Sequence, residues 1–325
     1  MRRREFTTAL VTSALYPRGA LAQMLPSLKR IAFLSGANPE AVGPILSGLT
    51  DGLAELGHVE GRDYEMIWRF SEGHSERFPA LAREVVALRA DVIVLGTPAA
   101  TRATMDATRT IPIVMGISAD PVGNGFVKSL ARPGGNVTGL ASLQEETTAK
   151  KIELLGMIVP GMKRLGVLHA PGPTPAVVLP SARLIGARLG IEVLPALAAE
   201  TPQIDAAFAI LAAAKADAVL SVADGFLMQQ RAQIARLAGE RRLPTAFAQR
   251  EYVLAGGLIS YGENLRAFFK RSAVFVDKIL KGAHPSDLPV EQPTHFRLVI
   301  NMRTAAALGL TIPTTVLAFA DEVIE

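Results

Sequence analysis

The chain contains no cysteine, which excludes a disulfide scaffold, thiol catalysis and cysteine-ligated zinc or iron–sulfur centres. No apolar run approaches the roughly 18 residues needed to cross a bilayer, so no transmembrane helix is expected. Catalytic signatures are missing as well. There is no G-x-S-x-G elbow, no H-E-x-x-H and no G-x-x-x-x-G-K-[ST] phosphate loop, and Gly123-Asn124-Gly125 lacks the third glycine of a dinucleotide fingerprint. The histidines at 58, 74, 169, 284 and 295 have no metal-ligand spacing. No catalytic residue, metal ligand or cofactor is therefore named. An enzyme built on carboxylates distant in sequence stays as a lesser alternative.

Charge of one sign is scarce outside the first residues. The formal net charge is +4 over 325 residues, and residues 1–22 hold Arg2, Arg3, Arg4 and Arg18 against Glu5 alone. The nearly neutral body has no general electrostatic reason to condense on a phosphate backbone, so no nucleic-acid partner is expected. What the chain has in quantity is core. Hydrophobic residues at 49% and charged residues at 20% are the proportions of an ordinary folded protein. The length suits two domains of about 100–200 residues.

Residues 1–22 read as an export signal. Arg2-Arg3-Arg4 form a charged start, Thr7–Leu15 is a short, largely apolar stretch, and Ala20-Leu21-Ala22 is a small-x-small cleavage site before Gln23. Arg3-Arg4-Glu5-Phe6 also fits the R-R-x-F core of a twin-arginine signal, so both the general and the twin-arginine routes fit. Cleavage near Ala22 and a periplasmic mature protein are the expectation.

The body runs through strand-then-helix units. Arg30–Ser35 reads as an apolar strand and Ala41–Leu56 as a helix with Ile45, Leu46, Leu49, Leu53 and Leu56 in register, stopped by Gly57. Tyr64–Phe70 follows as a strand, Ser75–Leu88 as a helix, Asp91–Leu95 as a buried-type strand, Pro98–Thr108 as a helix and Ile111–Met115 as a strand. The pattern then repeats. Lys163-Arg164-Leu165 echoes Lys29-Arg30-Ile31, opening the strand Arg164–His169, and a helix from about Pro175 ends at Leu189-Gly190 as the earlier one ends at Leu56-Gly57. Ala216–Leu220 echoes Ala90–Val94, and Arg242-Leu243-Pro244 echoes Thr110-Ile111-Pro112. A steady spacing of about 130 residues marks a duplicated unit. The fold class implied is α/β: two lobes, each with a parallel sheet of about five strands covered by helices on both faces. Two such lobes hinged over a cleft can close on a small ligand.

Six segments carry a resemblance: G-L-A-E-L-G-H-V-E-G-R-D (52–63), A-D-V-I-V-L-G-T-P-A-A (90–100), I-P-I-V-M-G-I-S-A-D-P-V (111–122), S-L-A-R-P-G-G-N-V-T-G (129–139), E-Y-V-L-A-G-G-L-I-S-Y-G (251–262) and K-I-L-K-G-A-H-P-S-D-L-P-V-E-Q-P-T (278–294). In this order they resemble the substrate-binding proteins of ABC transporters, specifically the family typified by tryptophan- and other aromatic-amino-acid-binding lipoproteins. The resemblance covers nearly all of residues 28–325. It implies a type I periplasmic-binding-protein fold, with two Rossmann-like lobes joined by a hinge. The expected division is lobe 1 over 28–141, joined by a returning segment at about 264–295, and lobe 2 over 142–263, with 296–325 unassigned. The implied function is capture of a small carboxylate-bearing solute, an amino acid or aromatic acid, by a monomer that delivers it to an ABC permease in the inner membrane. Without cysteine, a mature chain starting after Ala22 is expected to carry no lipid anchor there and to be free in the periplasm. A sensor partner for a receptor remains an alternative. A LacI-type regulator needs a DNA-binding headpiece of about 50–60 residues before the first strand, and the strand near residue 30 leaves no room for one.

In open parallel sheets ligands bind beyond the carboxyl ends of the strands, which puts the candidate site on identifiable loops. In lobe 1 these are Ser35–Asn38, Gly96–Ala100 and Gly116–Asp120; in lobe 2 they are His169–Pro171, Ala223–Gly225, Gln249-Arg250 and Tyr261-Gly262. Thr97, ahead of the helix that starts with Pro98 and Ala99, can offer a hydroxyl and helix-start amides to a carboxylate; its bland role is an N-cap. Asp120 and Asp224 are candidates to meet an ammonium group, against the bland roles of Asx-turn and cap; the resemblance favours Asp120. Tyr261 can stack on a planar ligand, or simply pack in the core. Ser35, Asn38, Ser118, Gln249 and His169 complete the ligand-binding set. His169 stands where similar proteins more often carry an Asn-Pro-type loop.

Overall fold

The computed structural model describes residues 28–325; the expected export signal at 1–22 lies outside them. Strands β1 (Lys29–Ser35), β2 (Tyr64–Phe70), β3 (Val92–Leu95), β4 (Ile113–Ala119) and β5 (Val137–Ser142) form a parallel sheet in the order β2-β1-β3-β4-β5. A second sheet holds β6 (Arg164–His169), β7 (Glu192–Leu197), β8 (Ala218–Ser221), β9 (Thr245–Phe247), β10 (Ile259–Gly262), β11 (Arg297–Asn301) and β12 (Glu322–Ile324), in the order β12-β11-β10-β9-β8-β6-β7. Only the β10–β11 pair is antiparallel among the described residues. The order β7-β6-β8-β9-β10 repeats that of the first sheet. The count exceeds the expected five because residues 297–324 add β11 and β12.

The helices are α1 (Pro39–Glu55), α2 (Phe78–Ala87), α3 (Pro98–Ala107), α4 (Gln144–Ile158), α5 (Pro173–Leu189), α6 (Thr201–Ala213), α7 (Gly225–Gln229), α8 (Arg231–Glu240), α9 (Arg250–Leu254), α10 (Leu265–Leu280), α11 (Met302–Leu308) and α12 (Thr314–Leu317). The central strands of each sheet are buried on both faces, which is why β1, β3, β6 and β8 read as apolar runs. In β1, Ile31 and Phe33 pack with α1 and α10, while Ala32 and Leu34 pack with α2 and α3. In the second sheet Leu165 and Val167 face α4 and α5, and Leu168 faces the cluster of α6 and α8. Gly190 ends α5 in the left-handed region at φ +68°, a conformation open to a residue without Cβ.

The duplication extends to contacts. The Arg30 amide donates to Asp91 (2.8 Å) while its guanidinium donates to Glu65 (2.7 Å) and the Leu88 carbonyl (2.9 Å). Arg164 repeats the set: its amide to Asp217 (2.8 Å), its guanidinium to Glu192 (3.2 Å) and the Ala214 carbonyl (3.1 Å). Both clusters fasten the amino ends of the strands, the ends away from the ligand loops.

The chain passes between the sheets at residues 142–144 and 262–265, and again after Glu291. Helix α10 lies against α1 and on the face of the first sheet over β3, β4 and β5, and the following segment is tied to β5 by Thr138 Oγ1 donating to the Leu288 carbonyl at 2.6 Å. One strand departs from the sequence reading. β4 runs on to Ala119 instead of stopping at Met115, with a register shift against β5 between Met115 and Ser118. Gly116 is not a terminator: a Cβ there would lie 2.5 Å from the Phe269 ring, so the missing side chain makes room for α10.

Candidate functional site

The carboxyl ends of the two sheets face each other across a cavity of about 480 Å³, within the range of small-molecule sites. The first wall is built in strand order: Ser71 after β2, Ser35 at the end of β1 with Gly36 after it, Gly96 and Thr97 after β3, Ile117 and Ala119 on β4, Ser142 on β5. Opposite lie Ala170 to Pro175 after β6, Ala199 and Glu200 after β7, Ala223 to Phe226 after β8, and Gln249 after β9. Phe33, Phe78, Leu265 and Phe269 add apolar surface.

Helices that follow parallel strands point their amino ends at this space. Pro98 has no N–H, and Thr97 Oγ1 accepts from the Ala100 amide at 3.2 Å. The Thr97 hydroxyl proton and the Ala99 amide are the donors this turn offers to a ligand. Asp224 caps α7, its Oδ1 accepting from Phe226 (2.8 Å) and Leu227 (3.1 Å). Burial pushes its carboxyl up from the usual value, and backbone N–H groups from residues 225–227 offset only part of this. No lysine or arginine lies among the described residues lining the cavity, whereas Glu76, Glu200 and Asp224 do.

Of the residues expected to bind ligand, Ser35, Thr97, Pro98, Ala99, Asp224 and Gln249 lie on the wall. Gln249 precedes α9 but its side chain makes no capping bond. The structure does not bring Asn38, Ser118, Asp120, His169 or Tyr261 to the wall, and each has a local occupation. Asn38 caps α1, accepting from the Ala41 amide at 2.9 Å. Ser118 is fully buried inside β4, because that strand continues past Gly116. Asp120 is exposed at φ +40°, its carboxylate accepting from Gly123 at 2.7 Å. His169 ends β6, with Nδ1 3.3 Å from the Ala170 carbonyl, and the wall begins one residue later. Tyr261 stacks on Phe296, ring centroids 5.7 Å apart.

Sequence reasoning missed Ser71, Glu76, Ser142, Gln144 and Phe269. Ser142 and Gln144 had a signal available: the apolar run Val137–Ser142 is a buried strand of the same kind as those identified. Phe269 had none, because it reaches the cleft from a helix far along the chain. Behind Gln144, on the same face of α4, the Lys151 ammonium is fully buried and its pKa falls to about 8, chiefly through burial, with Glu263 opposing. Burial raises the Glu263 carboxyl, while Lys151 and the Leu143 amide draw it back.

The chain belongs to the family of ABC transporter substrate binding proteins, which it matches over residues 29–324. A tyrosine-binding protein of Clostridioides difficile is 24% identical over 265 residues, covering 81% of this chain and 76% of that one. The structure of an ABC domain in complex with L-Trp from Streptococcus pneumoniae is 26% identical, with a TM-score of 0.83 over 91% of this chain and 100% of the other. A conserved domain protein from Vibrio cholerae is 32% identical, with a TM-score of 0.85 over 91% of this chain and 99% of the other. The fold is the two-lobed one of periplasmic binding proteins, and the molecule is a solute-binding protein, not an enzyme.

Proposed function

We propose that the protein is exported and captures an amino acid between its lobes for an ABC uptake permease, the amino acid carrying an aromatic side chain. The observation that carries this is the charge pattern of the cavity: helix starts and a threonine hydroxyl without lysine or arginine among the lining residues, opposite the buried carboxylate of Asp224. Neutral donors at a helix start suit a carboxylate. A buried aspartate lacking a cationic partner suits an ammonium group, since an opposite charge recovers what desolvation costs. A zwitterion with its ammonium toward Asp224 and its carboxylate toward Thr97 and Ala99 matches both. The apolar surface of Phe33, Phe78 and Phe269 and the solutes named for two similar proteins support an aromatic side chain. Export through residues 1–22 and a periplasmic address belong to the same reading.

A thermal-shift screen over amino acids, deaminated aromatic acids and short organic acids tests it. A ligand at about 100 times its dissociation constant stabilises by about 2.7 kcal/mol. Aromatic amino acids should give the largest shifts and deaminated analogues much smaller ones. Equal shifts for amino acid and analogue would remove the ammonium from the reading.

A further inference from the structure

Two oxygens at the hinge end of the cavity have no hydrogen-bond partner: Ser142 Oγ and Gln144 Oε1. Both residues line the cavity and are only 5% and 4% exposed. Buried polar atoms are rarely left unpaired, so two neighbouring orphans at a ligand cavity require an explanation. They are held in place. Ser142 pairs across the sheet with Ala119, and the Leu143 amide between them donates to Glu263 Oε1 at 3.3 Å, tying one crossover to the other.

Their position relative to Thr97 is set by the sheet. Thr97 follows β3, Ser142 ends β5, and β4 lies between. Strands lie about 4.8 Å apart, so the two sites stand about 10 Å from each other. A ligand whose carboxylate is held at Thr97 therefore meets Ser142 and Gln144 with a part of itself other than the carboxylate. Ile117, Leu265 and Phe269 line the same cavity and supply apolar surface for the ring.

We infer that Ser142 and Gln144 form a specificity subsite that accepts a hydrogen bond from a donor on the ligand's ring, a phenolic O–H or an indole N–H. This rests on the reading that an aromatic amino acid occupies the cleft. A ring without a donor leaves the Gln144 oxygen buried and unpaired in the closed state.

Calorimetry on ligand-stripped mature protein with L-tyrosine, L-tryptophan and L-phenylalanine tests the inference. In the wild type, tyrosine and tryptophan should each bind at least tenfold more tightly than phenylalanine. Gln144→Met and Ser142→Ala should each weaken the first two at least fivefold and change phenylalanine less than twofold. The melting temperature without ligand should stay or rise, because an orphaned polar group is removed. If Gln144→Met does not fold, Ser142→Ala supplies the same comparison. The inference is overturned if phenylalanine binds the wild type as well as the other two do, or if the variants weaken all three alike. A wild type that binds none of the three overturns the reading of the cleft together with the inference.

Discussion

Gly36 and Gly225 meet backbone to backbone across the cleft: a methyl group on Gly225 would lie 2.8 Å from the Gly36 carbonyl carbon and 3.1 Å from the Ala37 nitrogen. Gly36 belongs to the first lobe's β1 turn and Gly225 to the second lobe's β8 turn, so the lobes touch here without side chains. Gly225→Ala should therefore oppose closure. Overpacking of this kind costs about 1–3 kcal/mol, and affinity should fall about tenfold. Small-angle scattering at saturating ligand should show a larger radius of gyration than the wild type gives. An unchanged radius and affinity would mean that the closed state does not use this contact.

Thr97→Val removes both the cap on the Ala100 amide and the hydroxyl offered to a carboxylate. Loss of a cap costs about 1 kcal/mol, and a charge-assisted hydrogen bond about 1.5–3 kcal/mol. Melting temperature should drop by a few degrees and affinity roughly tenfold or more. Thr97→Ser should restore both. If Thr97→Val alters stability alone, the residue is a cap and nothing else.

Much of this architecture could be read before the fold was seen, for physical reasons. Arg164–His169 was legible to the residue because a doubly covered strand is an apolar run bounded by polar positions, and Tyr64–Phe70 because its aromatic and branched residues sit between turn residues at an edge of the sheet. The strand expected to end at Met115 runs on through Gly116, whose missing side chain admits Phe269 from a helix roughly 150 residues away. Strand ends predicted Ser35, Thr97 and Asp224 on the cavity wall. Asp120 and Asn38, expected on the same grounds, lie off that wall with their side chains in their own turn and cap. No local pattern tells a capping carboxylate that also faces a cavity from one that does not.

Asp224→Asn keeps the cap acceptor and removes the charge. Burial raises the folded pKa above the usual 3.8, so the native state binds the proton more tightly than the unfolded state does. Wild-type stability is therefore lost as pH rises from 3.8 through that raised value. The ligand-free variant should be as stable as the wild type at pH 4 or below and more stable at pH 7, by thermal denaturation. Affinity for the amino acid should nevertheless fall, and affinity for its deaminated analogue should not.

Lys151 gives the opposite slope. Its folded pKa of about 8 lies below the usual 10.5, so between these values the unfolded state holds more protons and stability rises with pH. Chemical denaturation from pH 7.5 to 10.5 should show that rise in the wild type. The double substitution Lys151→Met with Glu263→Gln, which leaves neither charge alone, should flatten it.

The export reading is checked at the chain terminus. Mass spectrometry of periplasmic protein should find Gln23 first, and a chain retaining Met1 or Arg2 there would refute cleavage near Ala22.

The twin clusters of Arg30 with Glu65 and Asp91, and of Arg164 with Glu192 and Asp217, fasten each lobe at the end of its sheet away from the ligand loops. The other end carries loops whose exchange disturbs none of those bonds. A lineage built this way can trade one nutrient for another by altering a handful of loop positions, each change tested by selection against an intact scaffold. Each lobe thus has a pole set apart from solute recognition and a pole where recognition and helix capping share residues, as at Thr97 and Asp224.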